Sequence, residues 1–175
     1  MHSMSSPLTQ RQLERQLIEL LEARTGLRPR VAMLLGSGHA SITNQLKDKV
    51  AIAGDDVPGM ALPSPIHVGI LEGVPVAVAD APLAAYEGMS TSELAHPVRV
   101  LKALGCELLI ITGGAASLSR QIEPGAIAVV EDHLNFSNLH PLTGPNDDQL
   151  GPRFPDMSEP YACLLYTSPS PRDRG

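Results

Sequence analysis

Gly36-Ser37-Gly38 sets one hydroxyl between two glycines directly behind the apolar run 31–35, so exposed amides and a hydroxyl donor meet at a strand exit. Such a backbone suits a phosphate or sulfate, and it equally suits an ordinary tight turn. The spacing matches neither a P-loop nor a dinucleotide fingerprint, which gives ATPase and dehydrogenase readings little support. A second run of small residues, Gly113-Gly114-Ala115-Ala116-Ser117, follows the apolar segment 108–112. Tyr86-Glu87-Gly88 sets a phenol, able both to pack and to hydrogen-bond, beside a carboxylate. The plainer alternatives are a tyrosine spanning core and solvent and a glutamate that is an exposed turn charge. Asp132-His133 brings together an acid and an imidazole, but sequence neighbours make no converging metal shell, and a structural hydrogen-bond network is the simpler reading.

The most distinctive stretch is 144–155, which runs Gly-Pro-Asn-Asp-Asp-Gln-Leu-Gly-Pro-Arg-Phe-Pro. It closely resembles the loop segment of trimeric purine nucleoside phosphorylases. The resemblance continues back through Asp132-His133-Leu134-Asn135, Tyr86-Glu87-Gly88 and Gly36-Ser37-Gly38, and it stops at about Tyr161. It implies phosphorolysis of purine ribo- or deoxyribonucleosides to a free base and a pentose 1-phosphate, with inorganic phosphate as co-substrate and neither cofactor nor metal. By the same resemblance Ser37 and Gly114 bind phosphate, Tyr86, Ala115 and Ala116 border the nucleoside, and Glu87 organises the site. Leu150 stands where a phenylalanine of the family covers a neighbouring sugar, which implies an interface in a homotrimer. No catalytic residue is assigned.

This chain departs from the family pattern at phosphate-facing positions. Pro82 and Ala84 stand where the family has an arginine and a histidine, Met60 stands at another histidine position, and Gly113 replaces an asparagine. None of these can reproduce the lost donors. His67 would substitute only if its loop were shifted. Residues 1–161 are therefore expected to form a partial phosphorylase-like domain, with the purine-recognising part absent and 162–175 a non-native irregular tail. Activity of this chain is expected to be absent or severely impaired. The alternative is a noncatalytic phosphorylase-like nucleoside-binding or structural protein.

The elements that position these residues follow from periodicity. Leu13, Leu17, Leu20 and Leu21 make the apolar face of a first helix, with Ser6 or Thr9 as its cap. The apolar run 31–35 reads as a buried strand, while 66–71 and 74–79, split by Glu72-Gly73, read as a hairpin. Ser90 and Glu93 have capping-box spacing ahead of Leu94, Val98 and Leu101, Pro97 is a kink or a new start, and Gly105 is the stop. Residues 108–112 and 126–131 read as further strands. Strands with intervening helices, together with the hairpin, predict an α/β domain with a mixed sheet flanked by helices. The resemblance implies that this sheet is nucleoside phosphorylase-like and C-terminally incomplete, which would leave an exposed edge.

Composition narrows the function classes. The 175 residues are enough for one domain, and 13 basic against 19 acidic residues give a formal charge of −6 with no basic cluster. Nucleic-acid and acidic-membrane surfaces are poorly supported. No apolar run reaches the roughly 18–20 residues of a membrane span, and the start lacks a secretion-signal pattern, so the cytoplasm is the expected compartment. Cys106 and Cys163 have no metal-motif spacing and read as reduced bystanders.

Overall fold

The computed structural model describes residues 10–56, 62, 64–80 and 85–162. Two compact units are present, Met1–Ala115 and Ala116–Gly175.

The first unit contains α1 (Gln10–Arg24), β1 (Val31–Leu35), β2 (Lys47–Ile52), β3 (Ile66–Leu71), β4 (Val74–Asp80), α2 (Thr91–Ala103) and β5 (Leu108–Ile111). Short 3-10 segments occupy Ala40–Gln45, Gly54–Asp56 and Ala85–Glu87. The five strands form one sheet in the order β2-β3-β4-β1-β5. β2, β3 and β4 are antiparallel neighbours, whereas β1 runs parallel to both β4 and β5. The expected mixed α/β sheet is therefore present, and β5 is one of its edges, with Ile111 65% exposed.

Alternation along the strands sends side chains to two different cores. Ala32, Ile66, Val68, Ala77 and Ala79 meet Leu13, Leu17 and Leu21 of α1 and Val100, Leu101 and Leu104 of α2. On the other face Leu35, Val76 and Val78 pack with Leu46 and Ile42 from the chain around the first 3-10 segment. The leucines of α1 recur at i, i+4 and i+8, so burial of that stripe, rather than intrinsic helix propensity, holds α1 in place. Its expected caps, Ser6 and Thr9, lie outside the described residues.

Helix α2 begins and ends as its sequence predicts. Ser90 Oγ accepts from the Glu93 amide at 3.3 Å, and Glu93 Oε2 accepts from the Ser90 amide at 2.6 Å. Those reciprocal bonds hold the exposed Glu93 carboxyl below its usual range. At the other end Gly105, at φ 90°, closes a Schellman turn: its amide donates to Lys102 O at 3.0 Å and that of Cys106 to Leu101 O at 3.3 Å. Pro97 lies inside α2 and is buried, so the helix continues through it, with packing offsetting the missing amide donor. Ser90→Ala should lower unfolding free energy by about 1 kcal/mol, read as a shifted urea midpoint at unchanged slope. A midpoint equal to that of the parent protein would show that the box contributes nothing.

The hairpin turns at Glu72 (φ 47°) and Gly73 (φ 83°), both in the left-handed region that a two-residue hairpin loop uses. Strand β2 was not anticipated. It is a polar edge strand with Lys47, Asp48 and Lys49 exposed, and its register shifts between Lys47 and Val50. Charge and irregularity of this kind protect an edge from pairing with another chain, and they also erase the alternation by which a strand is read.

The second unit, described through residue 162, has turns but neither helix nor strand among its described residues. The strand expected over 126–131 is absent. Its apolar residues have strand composition, but a strand exists only where its backbone is paired, and these residues join no ladder among those described. Ile127 is 98% exposed.

Candidate functional site

The parallel strands β4, β1 and β5 end together, because Leu35 lies opposite Asp80 and Leu34 opposite Ile111. From β1 the chain passes to the β2-β3-β4 side, and after α2 it returns on the other side as β5. β1 is therefore the point where the connections diverge, the position at which open α/β sheets form a crevice at their carboxyl ends.

Two loops leave this point side by side. The Gly36 amide donates to Thr112 O at 3.0 Å and lies 3.2 Å from Thr112 Oγ1, while the Thr112 amide donates to Leu34 O at 3.0 Å. A β-carbon on Gly36 would stand 2.6 Å from Thr112 O and 3.0 Å from Gly113 Cα, so only glycine lets the two backbones approach this closely. Ser37 follows, exposed and with no hydrogen-bond partner for its hydroxyl among the described residues. The His39 amide then donates to Gly36 O at 3.3 Å and closes the turn. Gly113 and Gly114 are exposed, and a β-carbon at either would meet nothing within 4 Å. Ser37 and Gly114, both read as phosphate contacts, thus lie on loops tied together by the Gly36–Thr112 bond.

Tyr86 and Glu87 lie in the 3-10 segment Ala85–Glu87 beyond the end of β4, closed by a bond from the Gly88 amide to Ala85 O at 3.1 Å. Tyr86 is 91% exposed, so its phenol is not a core residue, and Glu87 is exposed as well. Ala115 ends the first unit, and Ala116 opens the second. Pro82, Ala84 and Met60 lie outside the described residues. His67 sits near the start of β3, opposite Ala51 and opposite Val78 close to the carboxyl end of β4. Burial, followed by nearby Lys49, holds its imidazole below the ordinary histidine range, with Asp80 opposing. Cys106 is buried and its thiol is pushed up to about 11 by that burial, so it is not poised as a nucleophile.

In the second unit the diagnostic residues close bonds on one another. Arg153 donates to Leu142 O at 3.1 Å and also to Gly144 O, and Asn146 donates to Asp148 at 2.6 Å and to Gly151 O at 3.3 Å. Leu150, 40% exposed, donates its amide to Asp147 O at 2.9 Å. His133 Nδ1 is 3.0 Å from the Tyr161 hydroxyl, with the two rings edge to face, and the Asp132 carboxylate accepts from the His133 amide at 2.8 Å. Asp132 and His133 thus belong to a local network. No cluster of metal-ligating side chains occurs among the described residues, and no described helix is long and apolar enough to cross a membrane.

One residue at the strand exits was not singled out by its motif. His39 lies two positions beyond Ser37, and the available signal was an imidazole set directly behind a Gly-Ser-Gly loop.

Comparison with known proteins places this arrangement in context. A family model described as the phosphorylase superfamily matches residues 30–167. Purine nucleoside phosphorylase 1 of Geobacillus stearothermophilus is 36% identical over 156 residues, covering 86% of this chain and 57% of that protein. Purine nucleoside phosphorylase 1 of Bacillus subtilis is 35% identical over 139 residues, covering 76% of this chain and 51% of the relative. The crystal structure of isoform 2 of the Schistosoma mansoni purine nucleoside phosphorylase, in complex with cytosine and ribose-1-phosphate, superposes with a TM-score of 0.81 at 27% identity, over 92% of this chain and 60% of that one. The chain therefore spans only part of the length of each of these proteins.

Proposed function

The chain belongs to the phosphorylase superfamily, and from that premise we propose that it carries the phosphate- and sugar-facing part of a purine nucleoside phosphorylase site. The observation that carries the reading is the Gly36–Thr112 bond, which sets Ser37 and Gly114 on adjoining loops at the divergence point of the sheet. Related Schistosoma enzymes were crystallised with inosine and with ribose-1-phosphate, a substrate and a product of this reaction class.

In the proposed reaction a phosphate oxygen attacks the anomeric carbon of the pentose as the bond from that carbon to the purine nitrogen breaks. The bonding pair leaves with the base, which takes up a proton, and the sugar retains the phosphate. Ser37 donates its hydroxyl hydrogen and Gly114 its amide to phosphate oxygens, so that the nucleophile is held in line. Tyr86, Ala115 and Ala116 border the nucleoside, Glu87 orients polar groups beside it, and Leu150 excludes water across a subunit interface of a homotrimer. Inorganic phosphate is the co-substrate and no further cofactor takes part.

The same reading sets an expectation for this 175-residue chain. With proline, alanine and methionine at Pro82, Ala84 and Met60, hypoxanthine release from inosine should fall at least about 100-fold below ordinary turnover, the cost of losing one preorganised donor. What remains should require phosphate and disappear in Ser37→Ala. Base release that proceeds equally well without phosphate would contradict the phosphorylase reading. Nucleoside binding with neither phosphate dependence nor release would favour the noncatalytic binding protein that those three residues also suggest.

A further inference from the structure

We propose that His39 is a binding residue for the anion taken up between the β1 and β5 exits, with its imidazole Nε2–H as the nitrogen donor beside Ser37. The inference rests on the phosphate-dependent reading above and adds to it a residue outside the matched motif.

The described residues of the segments that leave the three strands are 36–39, 80, 85–88 and 112–115, and just ahead of β3 Ser64 donates its hydroxyl to Asp80 O at 2.8 Å while His67 lies opposite Val78. The segments that leave the strands contain two carboxylates, Asp80 and Glu87, three hydroxyls, Ser37, Thr112 and Tyr86, and neither lysine nor arginine. His39 is the only nitrogen-bearing side chain in them, His67 being held within β3. An anion held there beside carboxylates needs donors, since hydrogen bonds to a charged group are the stronger class.

His39 is partly buried, and its Nδ1 is enclosed with no hydrogen-bond partner. Nε2 is not among the enclosed orphan atoms and makes no hydrogen bond among the described residues, so it is the more open of the two ring nitrogens. An orphaned buried N–H is costlier than an orphaned lone pair, which puts the ring hydrogen on Nε2 rather than Nδ1. The imidazole is therefore a donor without an acceptor, two residues along the chain from a hydroxyl in the same condition. The backbone holds both in place: the His39 amide bonds to Gly36 O, and His39 O accepts from the Ile42 amide at 3.0 Å. Thr43, 6% exposed and with an unpartnered Oγ1, shows that the segment behind the loop has further unmet polar capacity.

The test is calorimetric titration of the 175-residue chain with inorganic phosphate, for the parent protein, His39→Ala, His39→Gln and Ser37→Ala. Phosphate Kd should rise about tenfold or more in His39→Ala and less in His39→Gln, which keeps an N–H donor. In the parent protein the His39 imidazole resonances should shift on phosphate addition and saturate at the calorimetric Kd, a readout independent of whether the variants fold. Loss of phosphate in Ser37→Ala, with His39→Ala retaining the parent Kd and the His39 resonances unmoved, would overturn the inference and leave the phosphorylase reading standing. No phosphate uptake by the parent protein would overturn both.

Discussion

Gly36→Ala is expected to destabilise the first unit by about 1–3 kcal/mol, the cost of forcing a methyl into a filled space. The new β-carbon would stand 2.6 Å from Thr112 O and 3.0 Å from Gly113 Cα, both of them backbone atoms in the paired loops, so neither can step aside as the tip of a flexible side chain would. Relief requires parting the loops and weakening the 3.0 Å Gly36–Thr112 bond, worth about 1 kcal/mol net. Gly114→Ala is the matched control, because a β-carbon there meets nothing within 4 Å. Its urea midpoint should correspond to a change within about 0.5 kcal/mol. The Gly36 variant should also bind phosphate more weakly, since separated loops no longer present Ser37 and Gly114 together. Equal urea midpoints for the two variants would show that the loops are not packed against each other.

Leu17→Ala should have the larger effect on stability, about 2–5 kcal/mol, the range for emptying a leucine-sized site in a core that relaxes only partly. Leu17 is 0% exposed and lies in the middle of the α1 stripe, in the cluster that joins both helices to the sheet. Against a typical total of about 5–15 kcal/mol, such a loss can unfold a domain of this size. Ile18, the next residue, is 38% exposed, and Ile18→Ala should change stability by only about 0.5 kcal/mol. Thermal melts of the two variants provide the comparison. If they melt together, α1 does not cover the sheet as described.

The sequence was most legible where one local rule acted alone. The α1 leucines, the Glu72-Gly73 turn, and the Ser90–Glu93 box with its Gly105 stop each specify geometry within a few residues, and each is found in place. Legibility failed where structure depends on a distant partner. β2 is a strand because β3 lies beside it, in spite of its charges, while 126–131 has the right residues and no described neighbour to pair with.

The site divides in the same way. Ser37 stands out as a glycine-flanked hydroxyl at a strand exit, whereas Gly114 is singled out only by the phosphorylase resemblance, which also suggests the roles of both. Their shared location depends on the Gly36–Thr112 approach, a contact across 76 residues that no local pattern encodes. His39 was passed over because its interest lies in a buried nitrogen without a partner, a property that sequence does not carry.

If Ser37 and Gly114 act together as proposed, the exits of β1 and β5 form one anion cradle. Amide chemical shifts recorded while inorganic phosphate is added to the parent protein test it most directly. The predicted result is that Ser37, Gly38, Gly113 and Gly114 shift together along one saturation curve, with the pocket lined by Ile18, Leu27 and Leu104 unaffected. Phosphate shifts confined to one of the two loops, or centred on residues away from both, would contradict it.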